Sequence, residues 1–398
     1  MAFFGNDAVN RVNLHYGVQA LAAGAGGVFL LAYLLHAGLS VSATLATLAA
    51  IIACRFALRP AILPLAKRWG LRPMVVAGSL LMAAQYAMLG EVRGLGPWLV
   101  AYVVVAALGD TFYWPSYHAY FAALGDAEHR GHQIGAREAL AAVVGIVAPL
   151  LGAWGLVTLG AVWTYLAVAA VQALAAAPLL FAPNVAVLAA APGAFRAARP
   201  GMTLFALDGW LSGSDYYVWQ VVLFVSLGRS LGAYGGAVAL AALVGALVGL
   251  FLGRHIDRGH GRRAVLIAYA TAAAVVLMRA ASLRSPWLAV LANAIGAFAT
   301  VLIAPTMMTA VYNLAKASPC PLRFHIATEG AWDIGCGAAV LAGAGLAAGH
   351  VSLAVALLLA LPACALCVWR LWRYYGANPM AGGVEAPLRL LLEPPTPP

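Results

Sequence analysis

Runs of about twenty apolar residues, each long enough to cross a bilayer as a helix, recur along this chain with only short polar breaks between them. On length and apolarity they predict spans near 13–37, 39–60, 73–91, 96–123, 136–156, 159–181, 201–228, 232–252, 264–284, 286–314, 328–348 and 351–374, twelve in all. A soluble fold could not hide so much apolar surface. Only 9% of the 398 residues are charged, against about 25% in an ordinary soluble domain. The expected fold class is therefore an all-α polytopic membrane protein. The start, MAFFGNDAVNR, has polar residues where a signal peptide would begin its apolar run, so the first span is expected to be retained.

The formal charge of +10 suggests nucleic acid only if position is ignored. With the N-terminus placed inside, all of the 23 Lys and Arg except Arg93, Arg229, Arg279 and Arg284 fall on the cytoplasmic side. That count groups Arg55 and Arg59, at the inner end of the second span, with Lys67, Arg68 and Arg72 on the cytoplasmic side. The positive-inside bias puts both termini in the cytoplasm and needs no nucleic acid. Ala- and Gly-rich composition fits close helix packing and hints at a GC-rich bacterial genome, so the expected location is a bacterial inner membrane. Five scattered cysteines form no disulfide or zinc pattern; Cys364 and Cys367 sit inside an apolar run and are read as packing.

The two halves resemble each other. Spans 4 and 10 each carry a Pro (Pro115, Pro305), then about two turns, a loop Arg (Arg130, Arg323) and a Glu entering the next span (Glu138, Glu329). The loops LPLAKRWGLRP and GRHIDRGHGRR also correspond. Repeated halves with sites at their interface are the pattern of secondary transporters. The expected division is a six-helix bundle over 1–181, a cytoplasmic linker over 182–200, a second bundle over 201–374 and a disordered tail over 375–398.

Ionisable residues inside spans are the functional candidates, because charge at that depth is costly and normally faces a cavity or a partner. Asp110, Trp114, Tyr117 and Phe121 share one helix face, with His118 adjoining. Asp208, Ser212 and Asp215 repeat the spacing, as do Glu329, Asp333 and Cys336. His15 and Gln19 share a face of span 1. The aromatic wall suits a cationic or aromatic solute, and carboxylates or His can exchange protons. Glu329 and Asp333 also fit a helix start, where acids are favoured regardless of function. His118, Met307, Met308, Cys320 and His325 are soft ligands but form no tight metal motif.

In GRHIDRGHGRR an acid lies among fixed cations at a helix end, an arrangement able to latch two helices. This loop, Gly253 to Arg263, resembles the G-x-x-x-D-R-x-G-R-R signature of the major facilitator superfamily, with His260 as one extra residue. The first-half loop is similar, with Lys67 where the family usually has its acid. Ala148 to Gly152, A-P-x-x-G, is similar to the G-P-x-x-G-G of many drug/proton antiporters. The resemblance implies two pseudo-symmetric six-helix bundles and a cavity lined by spans 1, 4, 7 and 10, hence by Asp110, Asp208 and Asp215. Gating falls to Arg68, Gly70, Gly253, Asp257, Arg258, Arg262, Arg263 and Arg130.

The reading is a proton-coupled secondary transporter of a small organic, cationic or amphipathic solute, working by alternating access as a monomer, with export favoured. Substrate binding is expected at Asp110, Trp114, Tyr117, His118, His15, Gln19, Asp208 and Asp215. Proton coupling is expected at Asp110, Asp208, Asp215, Glu329 and Asp333. Its partners are the small-molecule substrate, protons and the lipid bilayer, with no cofactor and no resident metal. The alternatives are proton-driven import of a small nutrient or metal complex and, more remotely, a membrane-embedded enzyme or assembly factor. An enzyme would need a nucleophile–base pair or metal triad that the sequence does not present.

Overall fold

The computed structural model describes residues 6–124, 130–252 and 261–377, with only the backbone described at 130–139 and 249–252. Its helices are α1 (Asp7–His36), α2 (Val41–Trp69), α3 (Leu71–Glu91), α4 (Pro97–Leu124), α5 (Arg130–Thr158) and α6 (Ala161–Leu180). After a linker come α7 (Arg199–Leu211, continued by Ser212–Tyr217 and Val218–Ser226), α8 (Leu231–Leu252), α9 (Gly261–Ala281), α10 (Pro286–Lys316), α11 (Pro321–Ala348) and α12 (Leu353–Ala377). Among the described residues there is no strand, and eleven helices are long and apolar enough to cross a membrane. The twelfth segment, α7, changes winding to a π turn at Ser212–Tyr217. Ser212, Gly213 and Asp215 are poor helix formers, so regular winding is weakly enforced there.

One expected boundary is corrected with consequence. The second span runs on to Trp69 instead of ending near 60. Pro60 is accommodated in a single 3₁₀ turn, Arg59–Ala61, near its start, where a missing N–H does least harm. The apolar residues beyond it then resume the helix. It stops at Gly70, whose φ of +83° is the left-handed region that favours glycine.

The apolar packing divides by depth. Away from the chain ends, one cluster crosses both halves, joining Phe29, Leu34, Leu45 and Leu48 to Trp219, Phe224, Tyr234 and Val340. Toward the ends it separates into two. One cluster belongs to the second half, around Phe205, Tyr269, Val311 and Cys367. The other belongs to the first half, around Val12, Met74, Tyr113 and Tyr120, and takes in Cys320 and Leu322 at the start of α11. Cys364 and Cys367 are buried free thiols in the second-half core.

Across the halves α2 packs on α11 and α5 on α8. The α5–α8 approach is close because Gly235 lacks a side chain: a Cβ there would lie 2.9 Å from the Pro149 carbonyl oxygen. The A-P-x-x-G stretch thus supplies a packing surface on α5. Gly152 lies against the Ala25 backbone of α1, and Ala153 against Gly235 of α8.

The linker is fastened to both halves. Asn184 accepts from the Arg72 N–H at 3.2 Å and donates to the Trp69 carbonyl at 2.9 Å. The Leu71 N–H donates to Val185 O at 2.9 Å, and the Tyr120 hydroxyl donates to Pro183 O at 2.5 Å. From the second half, Arg323 of α11 donates to the Leu188 and Ala189 carbonyls, both at 3.1 Å.

Candidate functional site

Arg55 and Arg59 stand four positions apart on α2, and so on one helix face. That face meets α11, where Glu329 and Asp333 repeat the same spacing. The two rows interlock. Arg55 pairs with Asp333 at 2.8 Å and with Asp110 of α4 at 3.2 Å, and approaches Glu329 at 3.9 Å. Arg59 donates its Nε–H to Asp333 and lies 3.6 Å from Glu329. Arg55, Arg59 and Asp333 are 7%, 4% and 2% exposed. Charges buried to this degree persist only when paired, because removal from water costs several kcal/mol per ion.

The cluster extends into the second half. The Arg55 guanidinium lies 5.4 Å from the Trp332 ring, and the indole N–H of Trp332 donates to Asp208 of α7 at 3.1 Å. Four carboxyls, Asp110, Asp208, Glu329 and Asp333, therefore gather about two guanidiniums. Two guanidinium nitrogens, Arg55 Nε and Arg59 Nη1, are buried with no hydrogen-bond partner.

Sequence reasoning missed both arginines as site residues, having counted them only toward the cytoplasmic side. Their four-residue spacing and the apolar residues resuming after Pro60 were the available signal. Arg279, counted on the opposite side, is also buried. It pairs with Asp215 at 2.6 Å and lies over Trp219 at 4.9 Å. Asp215 is thereby occupied within the second half, apart from the α2–α11 cluster. The rest of the Lys and Arg asymmetry stands without these three.

The polar end of α4 splits by face. Tyr117 is 1% exposed and stacks on Tyr16 and Tyr113 in the first-half core, which places it in packing and away from an open cavity. Trp114 and His118 are partly exposed and stacked on each other at 5.9 Å. His118 meets His325 of α11, ring centroids 5.5 Å apart, joining the halves a second time nearer the chain ends. His325 is 2% exposed and its Nδ1 has no partner. No group of three or more metal-binding side chains occurs among the described residues.

His15 is fully buried inside the first half. Its Nδ1 lies 2.7 Å from Ala175 O and its Nε2 2.9 Å from the Tyr113 hydroxyl, so both ring nitrogens are engaged there and not by a cavity. Gln19, 5% exposed, is also buried. Of the expected gating residues, Gly253, Asp257 and Arg258 lie outside the described residues, as does the side chain of Arg130. Arg68 is exposed, Gly70 is the turn against Asn184, and Arg262 stacks on Trp372.

A sequence search of curated proteins finds no match. The fold, however, is shared widely among solved structures. The human organic anion transporter MFSD10 (TETRAN) aligns with a TM-score of 0.67 at 16% identity, covering 92% of this chain and 99% of that one. A proton-dependent oligopeptide (POT) family transporter aligns at 0.69 with 12% identity, covering 91% and 100%. The nucleoside transporter NupG aligns at 0.64 with 12% identity, covering 92% and 99%. The family model described as Major Facilitator Superfamily matches residues 14–315. With this helix arrangement among the described residues and a family match over most of its length, the chain belongs to the major facilitator superfamily of membrane transporters.

Proposed function

We propose that this protein is a proton-coupled secondary transporter that exchanges protons for a small organic cation, in the export direction. The observation that carries this reading is the charge imbalance of the cluster that joins the halves: four carboxyls, Asp110, Asp208, Glu329 and Asp333, against Arg55 and Arg59. Uncompensated negative charge at membrane depth is costly. It is relieved by binding protons or by binding a cation. A site that takes one or the other, and not both together, exchanges them. Trp114 and Trp332 border the cluster, and indole faces attract organic cations.

Alternating access follows from the two-fold construction. The halves 1–181 and 201–374 rock about the α2–α11 and α5–α8 contacts. Each reversal reforms or breaks the ion pairs at Arg55 and Arg59, so occupancy of the carboxyls sets which conformation is favoured. The remaining basic bias supports both termini in the cytoplasm of a bacterial inner membrane, and the protein acts as a monomer. In that orientation the shared apolar cluster closes the outer side. The similar solved structures include transporters named for organic anions, oligopeptides and nucleosides, so the cationic assignment rests on the cluster and not on the fold.

The test is flux in proteoliposomes under an imposed pH gradient, with a panel of organic cations, zwitterions and anions. An acidic lumen should drive cation accumulation, and the Asp110→Asn variant should lose it. Accumulation driven by external acid would instead establish symport. Flux confined to anions would overturn the cationic assignment.

A further inference from the structure

A second group of arginines takes no part in the central cluster. We propose that the terminal edge of α9 and α12 is a binding site for the phosphate headgroup of an anionic phospholipid, held by Arg262, Arg370 and Arg373.

The geometry of α12 sets the position. Cys364, Cys367, Leu371 and Tyr375 form its buried face, directed into the second half. The other face exposes Leu366, Trp369, Arg370, Trp372 and Arg373. Arg370 and Arg373 lie about 26–30 Å along the helix from Leu353, at 1.5 Å per residue. A bilayer's hydrocarbon core is about 30 Å thick. These guanidiniums therefore come level with lipid headgroups, and the two indoles beside them occupy the interfacial zone where Trp is enriched.

The arginines are also ordered. Arg370 and Arg373 each lie 4.7 Å from the centre of the Trp369 ring. Arg262, at the start of α9, lies 5.1 Å from the Trp372 ring and donates its Nε–H to the Trp372 carbonyl at 3.2 Å. Stacking fixes the planar fork that a phosphate diester accepts in bidentate fashion. Neither α9 nor α12 contains an acidic residue. Among the described residues none of the three arginines makes an ion pair, in contrast to Arg55 and Arg59. A lipid fits better than a free anion because the edge continues into exposed apolar surface, Leu366 on α12 and Ile267 on α9, where acyl chains pack.

The experiment titrates the purified full chain in detergent with dioleoylphosphatidylglycerol, dioleoylphosphatidylcholine and inorganic phosphate, reading retained lipid by native mass spectrometry and the melting temperature. Phosphatidylglycerol should be retained and should raise the melting temperature, and the other two should not. The doubly substituted Arg370→Gln/Arg373→Gln protein should bind it about 25-fold more weakly, at about five-fold per arginine near an anionic headgroup. Arg262→Gln alone should weaken binding about five-fold, and Arg284→Gln, at the other membrane face, should leave it unchanged. Equal retention of both lipids, undiminished binding by the double variant, or a shift reproduced by inorganic phosphate would overturn the proposal.

Discussion

Arg55 of α2 and Asp333 of α11 join the two halves of the protein through a 2.8 Å ion pair buried at mid-span. Asp333 answers Arg59 as well, so one carboxylate holds two guanidiniums from the opposite half.

Removing that carboxylate leaves two buried cations short of a partner. Asp333→Asn should destabilise the protein by about 3 kcal/mol, the lower end for a broken buried pair because Glu329 and Asp110 remain. The check is a lowered melting temperature in detergent, together with loss of flux. A variant that melts like wild type would remove the pair from the stabilising contacts.

Glu329 differs from Asp333 in making only the longer contacts, 3.6 and 3.9 Å. Glu329→Gln should therefore preserve the fold while removing one site that a proton or a cation can occupy. Cation affinity, measured by equilibrium binding, should fall at least tenfold, equivalent to about 1.4 kcal/mol. The binding curve should also become less sensitive to pH, because protons then compete for fewer carboxyls. Unchanged affinity and unchanged pH dependence would exclude Glu329 from the exchange.

His15 separates structure from transport. Its two ring contacts stitch α1 to α4 and α6 inside one half. His15→Ala should cost about 2–4 kcal/mol, from two lost hydrogen bonds and the cavity left behind. Transport per folded molecule should stay near wild type. A change in substrate selectivity at normal stability would instead return His15 to the binding site.

Gly235 tests whether the α5–α8 contact opens during the cycle. A side chain there meets the Pro149 carbonyl and the Ala153 side chain. Gly235→Leu should force the two helices apart and disfavour the conformation described above. A cysteine placed at Trp219, 2% exposed within the shared apolar cluster, should then react with a water-soluble maleimide faster than in the Gly235 background. Equal labelling rates would mean that the contact does not hold that side closed.

Most of the architecture was legible in the chain. Run length came close on helix number, with eleven of the twelve expected spans long and apolar enough among the described residues, and the matched Pro, Arg and Glu positions of spans 4 and 10 suggested a division into halves. Asp110, Glu329 and Asp333 were recognisable as ionisable residues within expected spans, although Glu329 and Asp333 also fitted a helix start. Their partners were harder to see, because Arg55 and Arg59 precede a proline and the basic stretch Lys67–Arg68. Charge and proline together resemble the end of a span. The 3₁₀ turn that carries the helix through Pro60 depends on tertiary packing, which no local pattern encodes. The same limit applied to His15 and Tyr117. Helix periodicity assigns a residue to a face, and only the assembled bundle shows whether that face meets a neighbouring helix or water.

The linker carries a consequence for how the chain tolerates change. Its contacts with Arg323, Leu71 and Tyr120 are made by peptide carbonyls at Pro183, Val185, Leu188 and Ala189, and Leu188 points its side chain outward at 60% exposure. At Leu188 the side chain matters little, because any amino acid supplies the same carbonyl, whereas Ala182 and Ala194 are buried in the first-half core and Val185 and Val187 pack against it. An inserted or deleted residue is another matter. It shifts every carbonyl beyond it out of reach of Arg323, so the two halves stay fastened only while the length of the linker is kept.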